Sequence, residues 1–369
     1  MRLLGGETSM RVVTPVLFLL AASFVFVQPA PAAMGMIQVE VDGREIEGMP
    51  LAWGPDVVHL LGRDGQLFSV DPRKATDFRQ TADRFQPYSV SELRARLLRE
   101  LGNGYEVSGT THYLLAHPPG RRDPWAGRFE ELYRTFVYYF SVRGLRLEEP
   151  TFPLIVIVCR DRSEFERHVA AGGIAPPGNV VGLYHPRTNR IVVYDTHLGK
   201  GDGRDWQRNA ATVVHEATHQ MAFNTGIHNR YCPPPLWVIE GLATLFEAVG
   251  VHDARGHGRQ SDRVNQDRLR VYRETVAAKH DGSLPVELTA SDRFFDVSPV
   301  AAYAKAWAMT FYLVETQPDR FARYLALTAS HPPFTRRSPE QRLADFTSVF
   351  GDNWRLFDAQ LGRFIETVK

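Results

Sequence analysis

The chain has 369 residues and a formal net charge of +1, with 44% of residues hydrophobic and 23% charged. That composition is ordinary for a globular protein long enough to build a large core or two domains. The near-neutral charge removes the electrostatic reason to expect nucleic acid or an acidic membrane as a partner.

In chain order, Arg2 and Arg11 precede an apolar run from Val12 to Val27, and Ala30-Pro31-Ala32 supplies small residues at a cleavage point. Residues 1–32 therefore read as a secretory signal, with Met10 as an alternative start and an uncleaved anchor as the competing reading. The run is short for a membrane span, which needs about 20 apolar residues. The expectation is an exported chain, periplasmic or extracellular, beginning near Ala33 and without stable membrane insertion. No Cys lies near the cleavage point to take a lipid, and only Cys159 and Cys232 occur. An exported protein permits these one disulfide, with two buried free thiols as the alternative.

From Met36 to about Arg73 the pattern has period two. Ile37 to Val41 is followed by Asp42-Gly43, and Val57 to Leu61 stands before Asp64-Gly65, which reads as short antiparallel strands joined by turns. Residues 33–85 thus form a small β unit, with Arg73 to Pro87 as a polar linker. Val90 to Leu101 has helical spacing ending at Gly102, and Tyr105 to Leu115 alternates as one strand. Trp125 to Val142 is an aromatic-rich helix whose Phe129, Leu132, Phe136 and Tyr139 share one face. A core-facing stripe is favoured there over a ligand groove. Leu154 to Cys159 suits a central strand, Arg162 to Ala171 a short helix, and Val180 to Tyr184 with Arg190 to Asp195 a hairpin.

The next segment carries the chemistry. Trp206, Ala210, Val213, Val214, Ala217 and Met221 follow helical spacing, so 205–224 reads as an amphipathic helix with Asp205 as its N-cap. On it stands His215-Glu216-Ala217-Thr218-His219. Residues four apart share a helix face, so both imidazoles can meet one Zn2+ ion while Glu216 reaches a water beside it as general base. A third protein ligand is expected on the helix opened by Pro233 to Pro235 and stopped by Gly250, where Leu236, Ile239, Ala243 and Phe246 make an apolar face. Glu240 is the candidate, since a carboxylate on an apolar helix is costly unless paired or bound to metal. Gly241 would let that helix approach the histidine helix closely. His228 is the rival ligand, although Ala222 and Thr225 break the His-x-x-Gly-x-x-His continuation that a third histidine ligand would need. Residues 252–265, with His252 and His257, read as a mobile loop. From about Pro299 helices dominate: Val300 to Glu315, Asp319 to Leu327, Pro339 to Phe350 and Trp354 to Thr367.

His215 to His219 followed by Trp237-Val238-Ile239-Glu240-Gly241-Leu242-Ala243 resembles the gluzincin (peptidase-MA-like) zinc metallopeptidases, and among them a poorly characterised exported bacterial branch. The motifs cover residues 205–250, with weaker likeness over 105–315. The resemblance implies an α+β fold: a zincin-like catalytic lobe of mixed sheet and active-site helix over 86–250, then a helical C-terminal lobe over 251–369. It implies His215, His219 and Glu240 as zinc ligands and Glu216 as base. It also implies a Tyr on a later helix, matched by Tyr303, to donate to the oxyanion. The hairpin before the zinc helix stands where such folds place the edge strand that pairs with an extended peptide. One departure is Thr244, where members often carry an acidic or polar group that orients a ligand, so the histidine-orienting partner stays unidentified.

The expected activity is zinc-assisted hydrolysis of peptide bonds in a peptide or protein substrate. Two alternatives stay open. One is a zinc amide hydrolase acting on cell-wall peptides; the other is a non-catalytic exported zinc- or carbohydrate-binding protein, in which an intact Glu216 would have no use.

Overall fold

Period-two patterning near the N-terminus becomes a sheet of its own. The computed structural model describes residues 28–29, 35–119, 124–173, 180–194, 205–253, 258–276 and 281–369. Strands β1 (Gln28–Pro29), β2 (Met36–Val41), β3 (Arg44–Trp53), β4 (Val58–Gly62), β5 (Leu67–Val70) and β6 (Ala75–Ala82) pair antiparallel in the order β5-β4-β3-β2-β6, with β1 on β3. Asp42 and Gly43 both take positive φ, as a tight hairpin turn requires. Ile37, Val39, Val58, Leu60 and Val70 fill the small core.

Two expectations change here. Residues read as a linker form a single 3-10 turn at Pro72–Lys74 and then β6, whose side chains are almost all exposed. An exposed strand carries no alternation to read, and only its backbone pairing with β2 defines it. The expected signal, residues 1–32, falls mostly outside the described residues, but Gln28 and Pro29 within it pair with Trp53 and Ala52.

The second sheet supports the site. It is built from α1 (Val90–Leu101), β7 (Glu106–Gly109), β8 (Tyr113–His117), α2 (Pro124–Ser141), β9 (Leu154–Cys159), α3 (Arg162–Ala171), β10 (Gly182–His185), β11 (Arg190–Tyr194) and α4 (Asp205–Asn224). The strand order is β10-β11-β9-β8-β7, parallel around β9 and antiparallel at both edge hairpins. β9 is apolar at every position because both its faces are covered. Leu154, Val156 and Val158 meet the core shared with α2 and α4, while Ile155, Ile157 and Cys159 meet the core shared with α1 and α3. The stretch Tyr105 to Leu115, read as one strand, is a hairpin: Thr110 Oγ1 accepts from the Tyr113 N–H at 3.1 Å and closes the turn. The aromatic face of α2 is core, with Phe136 and Tyr139 packed on Phe246 at ring separations of 5.1 and 4.9 Å.

Beyond α4 lie α5 (Leu236–Phe246), α6 (Val249–His252), α7 (Gln266–Thr275), α8 (Ser283–Ala290), α9 (Arg293–Val297), α10 (Pro299–Thr316), α11 (Pro318–Ala329), α12 (Pro339–Phe350) and α13 (Trp354–Thr367). Helix α5 ends at Phe246 with Glu247 as its C-cap, before the expected stop at Gly250, which falls inside α6. Part of the expected loop over 252–265 is ordered: Gln260–Arg263 is a 3-10 turn. Helix α10 is the centre of this half. Its Trp307 and Phe311 are fully buried, and its Lys305 makes a wholly buried 2.5 Å ion pair with Asp358 of α13. The cysteines are both buried and unbridged, so the disulfide alternative is set aside. The fold is α+β, a mixed sheet followed by a helical C-terminal region. Among the described residues no helix is long and apolar enough to cross a membrane.

Candidate metal centre

Val213, Val214, Ala217 and Met221 bury one stripe of α4, which leaves His215 and His219 at its edge with their rings 4.6 Å apart and perpendicular. The opposing helix α5 is held at its start by Asp292, whose Oδ1 accepts from the Leu236 N–H at 3.0 Å while Arg342 grips both carboxylate oxygens. That anchoring turns Glu240 towards α4. Glu240 Oε2 lies 3.2 Å from His215 Nε2 and 3.6 Å from His219 Nε2. One ligand atom from each of the three residues falls within 4.8 Å of the others, and the side chains are only 12%, 11% and 13% exposed. Burial works against the charged form of Glu240, yet the two imidazoles outweigh it and hold its carboxyl far below the usual range. Burial likewise opposes protonation of His215, and bonds to Glu240 and Glu247 overcome this to raise it to about 10.

Glu216 is not drawn into this cluster. Its Oε2 accepts from the backbone N–H of Tyr184 at 2.6 Å, so it sits against β10, the outermost strand of the second sheet. Loss of water around its carboxyl raises its pKa, against the pull of the neighbouring histidines. Tyr303, on the first turns of α10, stands with its ring 6.4 Å from that of His215, and burial, with the nearby Glu240 and Glu216 carboxylates, pushes its phenol well above the usual range. The stripe it begins is otherwise core.

The histidine-orienting group is Glu247, two turns beyond Glu240 on the same helix face. Its Oε1 accepts from His215 Nδ1 at 2.8 Å, which fixes the ring and leaves Nε2 facing Glu240. Asn265 donates to Glu247 Oε2 at 2.7 Å, and Arg268 approaches Oε1 at 3.5 Å while lying over the Tyr303 ring. Thr244, at the position where the resemblance implies an orienting group, spends its hydroxyl on the Glu240 carbonyl at 2.7 Å. Helical spacing from Glu240 was the available signal for Glu247; nothing in the pattern marked Asn265 or Arg268.

Two other expectations are corrected. Gly241 allows close approach to α10 rather than to α4: a Cβ there would lie 2.2 Å from Thr310 Oγ1 and 2.7 Å from the Ala306 carbonyl oxygen. His228 is not brought into the cluster; its Nδ1 donates to the Ile227 carbonyl at 3.1 Å. His252 donates to the Phe246 carbonyl, and His257 lies outside the described residues.

Residues 209–335 match the family model described as a protein of unknown function, DUF1570. No curated protein matches the chain. Among solved structures, the chain is similar to an M1 zinc metallopeptidase from Deinococcus radiodurans, at 14% identity and a TM-score of 0.37 over 90% of this chain and 61% of that one. A mutant of that enzyme bound to a Tyr-Ser-Ala substrate overlaps at 13% identity and the same TM-score, over 92% of this chain and 61% of that one. The chain thus spans less than two thirds of these neighbours, and the likeness is loose.

Proposed function

We propose that the protein is a zinc-dependent hydrolase of peptide bonds, with Glu216 as its general base. The observation that carries the reading is the meeting of His215, His219 and Glu240 within 4.8 Å, with a carboxylate beside them that is not one of the three. Two imidazoles and one carboxylate are the donor set of catalytic zinc sites that keep an open position, so the residues present fit that ion. Zinc held there supplies a Lewis acid that polarises the scissile carbonyl and a nucleophile available near neutral pH.

The chain's own groups supply the rest. Glu216, with its raised pKa, suits a group that takes a proton from water and returns it to the leaving nitrogen. Glu247 fixes the His215 ring so that Nε2 faces the centre. Tyr303 carries the hydroxyl that would donate to the developing oxyanion, a contribution on the order of 3 kcal/mol when correctly aimed. Among the described residues strand β10 is the edge of its sheet, beside Glu216, where an extended chain can add by backbone pairing. A partner role without catalysis would leave Glu216 only its bond to the Tyr184 N–H. Whether the chain acts on proteins, cell-wall peptides or another amide is decided by assay.

The test is purified protein on a mixed peptide library, with and without a chelator. Cleavage that stops on chelation and returns with zinc is expected. Glu216→Gln, which keeps the shape but cannot accept the proton, should retain zinc and lose about a hundredfold or more of kcat. Near-normal turnover in that variant would assign the base elsewhere. Export belongs to the same proposal, and intact-mass measurement from an exporting host should give a chain beginning near Ala33. A mass retaining residues 10–32 in the membrane fraction would favour the anchor instead.

A further inference from the structure

Helix α4 meets the second sheet along a row of side chains that the chemistry above leaves unexplained. Thr212, Glu216, Gln220 and Asn224 follow one another at intervals of four and so share one face of the helix. Gly182 of β10 lies against the first two, where a Cβ would stand 3.3 Å from Thr212 Cγ2 and 3.5 Å from Glu216 Cγ. The Tyr184 N–H meets Glu216 at 2.6 Å. Gln220 donates its two amide hydrogens to the carbonyls of Ile155 and Asn189, each at 3.0 Å. Asn224 and Asn189 exchange a pair of amide bonds, 2.8 Å in each direction.

Asn189 is where this row gathers on the sheet side. It is 2% exposed and takes a φ of +59° at the end of the β10–β11 turn, a conformation open to Asn and most easily to Gly. Gly would satisfy the turn alone, so what Asn adds is its amide. Its Oδ1 accepts from the Tyr184 hydroxyl at 2.9 Å as well as from Asn224. Tyr184 is therefore held at two points, its N–H by Glu216 and its hydroxyl by Asn189. Apolar side chains could bury the same faces, but burial is non-directional, whereas buried amides with fixed donors and acceptors select one register. The seam keeps its amides even though Gln220 Oε1 is left without a partner, a cost that packing alone does not require.

We propose that Asn189 is a positioning residue for the general base. By bonding α4 through Gln220 and Asn224, and β10 through the Tyr184 hydroxyl, it fixes the Tyr184 N–H opposite Glu216 and so aims that carboxylate. This deepens the peptidase reading above and rests on it. Asn189 bonds to none of His215, His219 and Glu240, so its amide can be removed with the metal ligands intact.

The experiment is a double-mutant cycle on zinc-loaded protein, using a peptide that the parent cleaves. Asn189→Gly keeps the backbone conformation and removes the amide; Glu216→Gln removes the base. Alone, Asn189→Gly should lower kcat about ten- to a hundredfold, as a misplaced reacting group does, with KM and zinc content near those of the parent. In the Glu216→Gln background it should change the residual turnover by no more than about twofold, because its effect runs through the base. Equal losses in the two backgrounds, or a parent-like kcat in the single variant, would overturn the proposal. Asn224→Ala removes the other half of the amide pair; it should reproduce the pattern, and it carries the test if Asn189→Gly does not fold. Hydrogen exchange at the Tyr184 amide reads the same tie without turnover: it should quicken about tenfold or more in either seam variant, and an unchanged rate refutes the positioning. If the parent cleaves no peptide, the peptidase reading fails by itself, and the exchange rates alone decide whether Asn189 places the Tyr184 N–H.

Discussion

Glu247 offers the sharpest test of the candidate centre, because no ligand role is claimed for it and yet the geometry makes it indispensable to one. Its carboxylate takes the Nδ1 proton of His215 at 2.8 Å and is itself held by Asn265 at 2.7 Å. Replacing such an outer partner typically lowers metal affinity 10- to 100-fold, or about 1.4–2.7 kcal/mol. Glu247→Gln keeps an oxygen that can accept from Nδ1 and removes only the charge, so its loss should lie near the lower figure. Glu247→Ala frees the ring to turn and should approach the upper one. Asn265 keeps its second bond, to the Thr244 carbonyl at 2.9 Å, so the local backbone should persist in both. Competition against a chromogenic zinc chelator measures the affinities, and zinc content at saturation should remain about one per chain. Affinity within twofold of the parent in Glu247→Ala would refute the idea that His215 is a ligand oriented from behind.

The remaining predictions concern the same helices. Glu240→Ala should lose zinc severely, whereas His228→Ala should keep it; the reverse result would overturn the ligand set. Gly241→Ala should destabilise the fold by about 1–3 kcal/mol in chemical denaturation, since the new methyl meets Thr310 and the Ala306 carbonyl at 2.2 and 2.7 Å; an unchanged midpoint would show that the two helices are looser than described. In chelator-treated protein His215 is raised from 6.5 to about 10, so the stability it lends is complete below pH 6.5 and is lost as pH climbs through 10. Melting temperature should accordingly fall across that window, less so in Glu247→Gln, and zinc uptake near neutral pH should release a proton.

Much of this was legible in the residues, for identifiable reasons. Helix α4 and strand β9 have long, strongly patterned runs, and their bounds fall where periodicity puts them. The pairing of two histidines four apart with Glu240 needed only helical geometry. Strand β6 carries no sequence signal because its side chains face water, α7 is a short polar helix held by its Asn265 cap on the Arg268 N–H, and α8 and α9 are too short to show an apolar period. Glu247 lies outside the expected spacing: the resemblance puts the orienting group one turn after Glu240, and it stands two turns after. The Tyr184 N–H was illegible in principle, since a backbone group has no letter of its own.

The contact at Gly241 has a mechanical consequence. Glu240 is carried by α5 and Tyr303 by α10, and these two helices touch backbone to side chain with no room for a single added carbon. They therefore form one stiff block, with Lys305 and Asp358 clamping α13 to its far side. The distance from the carboxylate to the phenol is set by packing and is insensitive to motion of the surrounding lobes. The base belongs to neither helix of the block: Glu216 rides on α4 and is tied by its 2.6 Å bond to the Tyr184 N–H of β10, so its place relative to the phenol depends on how α4 packs.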